Sequence, residues 1–240
     1  MKPQLILRNV LIASLMIFSV SGHAMANNLQ VQSYTGDVGN LNNVWTLTTA
    51  SKFNQDDYPL DAGALNVSGN EPEQTNIGTG LENYLGLADG SLDIDSFSAQ
   101  AYEGSAMKLS FNLKAGDTLS FDYSFATRDV GASNIGEDYS FIVINGKLST
   151  LSDVGKTTAS HASGNDLAST GLTSFSFKAD HTGNFDIYFG VVDIGDFNAS
   201  STLRLYGSQL VAAVPEPDTA ILSLMGLGLV CLVRRQKRDV

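Results

Sequence analysis

The sequence predicts an all-β fold, a β-sandwich or jelly roll of about ten short antiparallel strands. Three observations carry this. First, apolar residues alternate with polar ones along Met107, Leu109, Phe111 and Leu113, and again along Leu119, Phe121, Tyr123 and Phe125. The same spacing returns at Phe185, Ile187, Phe189 and Val191, and at Leu203 and Leu205. A period of two sends one set of side chains to one face of a sheet. Second, Tyr139 to Ile144 (YSFIVI) runs into Asn145-Gly146, the dipeptide best suited to the positive φ angles of a tight hairpin turn. Third, no stretch between the two ends repeats apolar residues at helical spacing over three turns.

The elements follow in chain order. Residues 1–26 read as a secretory signal peptide: Lys2 and Arg8, an apolar core from Val10 to Val20, then Ala24-Met25-Ala26, with cleavage by signal peptidase expected after Ala26. Residues 27–213 form the β-sandwich domain. Trp45 to Thr49 (WTLTT) is its first clear strand, and Glu71 to Leu87 reads as a long loop with one helical turn. The alternating strands come next, separated by polar loops at Val130 to Glu137 and Lys156 to Thr170. Ser110 to Phe125 and Ser174 to Phe189 align without gaps, which predicts two equivalent hairpins in the two halves of a sandwich. Residues 214–240 hold a Pro-Glu-Pro, the apolar run Ala220 to Val233 and a basic end. As a transmembrane-like helix that run reaches roughly 21 Å, short of a hydrocarbon core about 30 Å thick.

Without its ends the chain keeps 8 Lys and Arg against 22 Asp and Glu, about −14. Such an excess carries no electrostatic footprint for nucleic acid. The single cysteine, Cys231, lies in the C-terminal apolar run, so no disulfide staples the domain. Stability must come from packing, hydrogen bonds or a bound ion. Nucleophilic catalysis finds no signature, since His161 and His181 sit in a loop and a turn and no Gly-x-Ser-x-Gly occurs. Two isolated histidines without cysteine do not make the usual zinc sets.

Calcium is the sharper expectation among the acids. Asp193, Asp196 and Asn198 stand on the loop GVVDIGDFNASS, and Glu137 with Asp138 precede the YSFIVI strand. Hard oxygen ligands on a glycine-containing loop suit Ca²⁺. Trp45, Tyr84 and Tyr102 fall outside the strongest alternating faces and are candidates for stacking on sugar rings. The carboxylate pairs Asp93 with Asp95, Glu137 with Asp138, and Asp193 with Asp196 leave a glycosidase-like pair open, because sequence does not show their separation.

The C-terminus resembles a known sorting signal. Val214-Pro215-Glu216-Pro217, the apolar run with Gly226 and Gly228, and Arg234-Arg235 follow in order the three parts of the PEP-CTERM signal of Gram-negative bacteria. The resemblance implies export through the general secretion machinery, transient anchoring in the inner membrane through residues 220–233, and processing by an exosortase near Pro215 to Pro217. Pro215 and Pro217 keep that segment extended, and the basic end suits the cytoplasmic side. The body also resembles one PEP-CTERM subfamily in YLGLADGSLD, YEGSAMKLSFNLKAGDTLSFDYSF, EDYSFIVING and FGVVDIGDFNASSTL. Members of that kind are exported, β-rich and associated with exopolysaccharide and biofilm. Their pattern commonly carries further acids where Thr127-Arg128-Asp129, Ala199-Ser200 and Tyr206-Gly207 stand here.

The expectation is a non-catalytic, carbohydrate-binding exported protein of the cell surface or extracellular matrix, associated with exopolysaccharide or biofilm. Two alternatives stand beside it: a secreted polysaccharide hydrolase using a carboxylate pair, and a calcium-stabilised adhesive module.

Overall fold

A computed structural model describes residues 25–27, 29–53, 65–75, 78–94, 99–128, 137–162, 168–195 and 199–213. The chain divides into two compact units, Ala24–Ala213 and Met1–His23 with Val214–Val240. All described residues belong to the first. The expected signal peptide before residue 25 and the apolar run at 220–233 lie outside them.

Strands dominate. They are β1 (Met25–Asn27), β2 (Val31–Thr35), β3 (Asp37–Leu41), β4 (Val44–Thr48) and β5 (Glu73–Gln74), then, after the short helix α1 (Leu81–Leu85), β6 (Ala101–Leu113) and β7 (Thr118–Thr127). The hairpin β8 (Tyr139–Ile144) and β9 (Lys147–Asp153) follows, then β10 (Ala168–Ser169), β11 (Thr173–Lys178), β12 (Gly183–Ile194) and β13 (Ser201–Val211). Ten of these strands have five residues or more, which agrees with the count expected from the alternation. They form two antiparallel sheets. One runs β10-β7-β13-β4-β3, with β11 beside β7 and β1 beside β13; the other runs β2-β6-β12-β8-β9, with β5 beside β6.

The alternation decides what is buried. Met107, Leu109, Phe121, Phe125, Ile187, Phe189 and Leu203 fill the space between the sheets. The opposite parity of the second sheet, with Ala106, Phe141, Val143 and Val192, builds a second apolar cluster together with Leu81 and Leu85 of α1. That sheet is therefore covered on both faces along part of its length, which is why Phe141 to Ile144 reads as an unbroken apolar run. Gly104 lets the helix settle there, since a Cβ on it would meet Leu81 Cδ2 at 2.9 Å and the Val191 carbonyl oxygen at 2.3 Å.

The turn chemistry holds at Asn145-Gly146, where φ is 50° and 76° between β8 and β9. Asn42 and Asn43 make an equivalent turn between β3 and β4, with φ of 52° and 65°.

The aligned segments are not hairpins. β6 and β7 lie in different sheets, as do β11 and β12, so each pair is an arch across the sandwich. The two arches pair with each other: β6 with β12 and β7 with β11. Phe111 faces Phe185 while Phe121 faces Phe175, and Leu113 faces Gly183 while Leu119 faces Phe177. Under the 64-residue offset each pair maps onto its counterpart, so the repeat is a pseudo-two-fold pair of arches around the core. Alternation alone does not tell which sheet a strand joins; the turn between them does.

β1 pairs with Ser208–Leu210 of β13 and spans the Ala26–Asn27 bond where cleavage is expected.

Candidate functional site

Extended backbone turns neighbouring side chains to opposite faces, and this separates Glu137 from Asp138. Asp138 points inward and is buried. Its Oδ1 accepts the Ile194 N–H at 3.0 Å and its Oδ2 accepts the Ser201 hydroxyl at 2.6 Å, which ties the end of β12 to the start of β13. Glu137 is exposed and points the other way. Its Oε2 lies 3.8 Å, and the Oδ1 of Asp153 3.2 Å, from the place a Cβ on Gly155 would occupy. Those two oxygens are then no more than about 7 Å apart. With Asp93 they line an open cavity of about 450 Å³ that is walled by Ser91, Tyr139, Leu148 and Thr150. The Tyr139 hydroxyl donates to the Leu92 carbonyl at 2.6 Å. Burial, then the charges of Asp93 and Glu82, push its pKa well up, so it stays protonated as a donor.

Of the remaining calcium candidates, Asp193 is buried in β12 opposite Glu103, while Asp196 and Asn198 lie outside the described residues. Among the described residues, no group of three or more His, Cys, Asp or Glu is placed to hold a metal ion. The three acids of the cavity line it without converging.

Other buried acids hold loops. Asp37 accepts the N–H groups of Val67 and Ser68, with its Oδ1 2.7 Å from Ser68 N. Glu82 accepts those of Gly90 and Leu92 at 2.8 and 2.7 Å. A carboxylate satisfies several orphan donors at once, and this explains acids in the interior of a sandwich.

The three aromatic candidates separate as well. Trp45 is half-buried on β4 against the core, its ring 6.4 Å from that of Tyr34 on β2. Tyr102 is exposed near the start of β6. Tyr84 on α1 leans over the outer face of the second sheet, where the structure adds partners that sequence reading did not name. Its ring meets Tyr188 edge to face at 5.7 Å, and its hydroxyl lies 2.9 Å from that of Ser33. The Lys108 ammonium sits 5.5 Å over the Tyr188 ring and 2.8 Å from Asp186 Oδ2. Ser110 donates to the other oxygen of Asp186. Lys108 faces Tyr188 and Ser110 faces Asp186 across β6 and β12, so register builds the group. One signal was available: Lys108, Ser110, Asp186 and Tyr188 occupy the same phase of two alternating strands, and Tyr188 also packs against the second apolar cluster.

The electrostatics keep this face charged and donor-rich. The hydrogen bond from Lys108, then that from Ser110, holds the Asp186 carboxyl below the usual range. The same bond raises Lys108. Partial burial raises Tyr84. Two phenols, an ammonium, a carboxylate and hydroxyls within one patch suit a ligand with many hydroxyl groups and apolar ring faces.

A second cavity, of about 460 Å³, opens at the sandwich edge beside β9 and β11. Phe175, Phe177 and Phe185 floor it, with Lys147, Lys178 and Asp180 among its polar lining.

Comparison with known proteins bears mainly on the C-terminus. The family model of the PEP-CTERM protein-sorting motif matches residues 213–238. No curated protein matches the chain. Among solved structures, the chain is similar to TmCBM61, determined in complex with beta-1,4-galactotriose, at 9% identity over 48% of this chain and 70% of that one, with a TM-score of 0.27. It is also similar to BtGH115A, a family GH115 4-O-methyl-alpha-glucuronidase with specificity for decorated arabinogalactans, at 13% identity, 53% of this chain and a TM-score of 0.28. Only 16% of that longer protein is spanned. With Pro215-Glu216-Pro217, the apolar run and Arg234-Arg235 all inside the matched segment, this chain is an exported protein that carries a PEP-CTERM sorting signal.

Proposed function

We propose that the β-sandwich is a non-catalytic carbohydrate-binding body, released from its transient inner-membrane anchor to work in the extracellular polysaccharide matrix. The observation that supports it best is the Tyr84–Tyr188–Lys108–Asp186 group on the outer sheet face. Its side chains are already held by hydrogen bonds, so binding orders few of them further. Phenol rings offer an apolar surface to the C–H faces of a sugar, and the charged pair offers both donors and acceptors to its hydroxyls. The test is retention of the exported protein on the producer's own polysaccharide. Lys108→Ala should lose retention while its circular dichroism and melting remain close to the parent's, and Tyr188→Ala should lose retention while its circular dichroism still shows a folded sandwich. Equal retention of both variants and the parent would move the binding face elsewhere, and no retention of the parent would remove the proposal.

The cavity with Asp93, Glu137 and Asp153 favours a second reading, a polysaccharide hydrolase. Glu137 and Asp153 line it together, as the two carboxyls of a glycosidase line one cleft. Release of reducing ends from the same polysaccharide, abolished in Glu137→Gln and Asp153→Asn, would establish it. Binding without any release would leave the body non-catalytic.

A further inference from the structure

We propose that Asp117 is a catch that holds the first residue of the sorting motif on the folded body, and that processing of the tail runs through its release. The matched motif begins at residue 213. In the structure Ala213 still belongs to the body: its N–H donates to Asp117 Oδ1 at 2.8 Å, two residues after β13 ends. The other oxygen of Asp117 accepts the Lys114 N–H at 2.9 Å. The main chain of the same turn is fixed to the neighbouring arch, with Ala179 N–H donating to the Asp117 carbonyl and Gly116 N–H to the Ala179 carbonyl, both at 2.8 Å. Asp117 is buried, and a Cβ on Gly116 would come within 3.1 Å of the Ala213 Cβ. The chain end is thus held against both arches of the core.

Pro215 is only two residues further on. A protease takes up several extended residues on each side of the bond that it cuts, so Ala213 must leave Asp117 before Pro215 to Pro217 can be seated. When opening is fast relative to cutting, the rate follows the population of the open form. A hydrogen bond to a carboxylate is among the stronger ones, and its loss should raise that population several-fold. The catch would delay cutting until the body and its last strand have unlatched from the turn, and would keep the motif off adventitious proteases meanwhile.

The inference rests on the reading that the tail is processed. Pulse-chase of the full chain in the producing cells tests it, with three variants beside the parent: Asp117→Ala, a Gly-Ser-Gly insertion between Ala213 and Val214 with Asp117 kept, and both changes together. Asp117→Ala should lose its tail several-fold faster than the parent, and so should the insertion, which supplies free chain without touching the fold. The combined variant should gain nothing further. Hydrogen exchange at the Ala213 amide should quicken in Asp117→Ala and stay unchanged in the insertion. Equal processing of the parent and the insertion variant would overturn the catch while leaving the sorting reading in place, and this arm stands even if Asp117→Ala does not fold. A parent that keeps its tail would overturn both.

Discussion

Gly190 is the position at which a single methyl group should do the most measurable damage. It lies mid-way along β12, paired with Phe141 of β8, and the Phe141 ring folds across it. A Cβ built on Gly190 would lie 2.2 Å from Phe141 Cζ and 2.7 and 2.8 Å from its two Cε atoms. The ring is fully buried between Val143, Val192 and the underside of α1, so it has no free space into which to swing. Overpacking of this kind costs about 1–3 kcal/mol. In a domain of this size each kcal/mol lowers the melting midpoint by about 2–4 °C, so Gly190→Ala should melt some 2–12 °C below the parent. The clash is with one side chain, so trimming that side chain should relieve it. Phe141→Leu alone should cost stability, and in the double variant the two losses should fall short of their sum by at least about 0.5 kcal/mol. Thermal melting followed by circular dichroism gives all four values. Additive losses, or an unchanged midpoint for Gly190→Ala, would show that the ring does not lie over Gly190 as described.

Further outcomes follow from the same geometry. Asp186 has a lowered pKa, so its contribution is present above the ordinary carboxylate value of about 4 and is lost as pH falls through the lowered one. Lys108 is raised, so its part is present below about 10.4 and is lost as pH rises through the raised value. Retention on polysaccharide should therefore be flat from about pH 5 to 9 and fall in strong acid, with the acid limb absent in Asp186→Asn; a bell centred near neutrality would contradict the pair. Intact mass of the protein recovered from culture medium should lack Ala220 to Val240, and recovery of the whole tail there would contradict release. A structural calcium ion, held through Asp193, Asp196 and Asn198, would lower the melting midpoint in EDTA, since an ion bound only to the folded state stabilises it; equal midpoints would remove that alternative. Asp138→Ala leaves the buried Ile194 N–H without its acceptor and should cost about 2–4 kcal/mol in urea unfolding. A loss below about 0.5 kcal/mol would mean that the link from β12 to β13 is made elsewhere.

Much of the fold was legible because strand periodicity is local. Leu119 to Phe125 and Phe185 to Val191 announce a buried face without reference to any other part of the chain. Asn145-Gly146 announces a hairpin because positive φ is a property of two residues. The sorting signal was legible for a related reason: Pro215-Glu216-Pro217, the apolar run and Arg234-Arg235 are contiguous. The arches could not be read in the same way. Ser110 to Phe125 looks like a hairpin because nothing in its alternation tells whether the second strand pairs with the first or crosses to the facing sheet.

The proposed binding face is assembled by register and by packing on the second face of the sheet. Tyr84 could be named from sequence, but its partners Tyr188, Lys108 and Asp186 come from β6 and β12, whose paired residues Lys108 and Tyr188 stand 80 positions apart in the chain. Glu137 and Asp138 are neighbours in the chain and lie on opposite faces in the fold, one in an open cavity and one binding Ile194 and Ser201. By itself, the sequence determined the class of fold, the acidity of the body and the export signal, because each depends on residues close together along the chain. Only the tertiary structure decided which acids are spent on holding loops, which tyrosines meet, and which side chain takes the amide of Ala213. The last two join residues 96 or more positions apart, and chain order does not encode their distances.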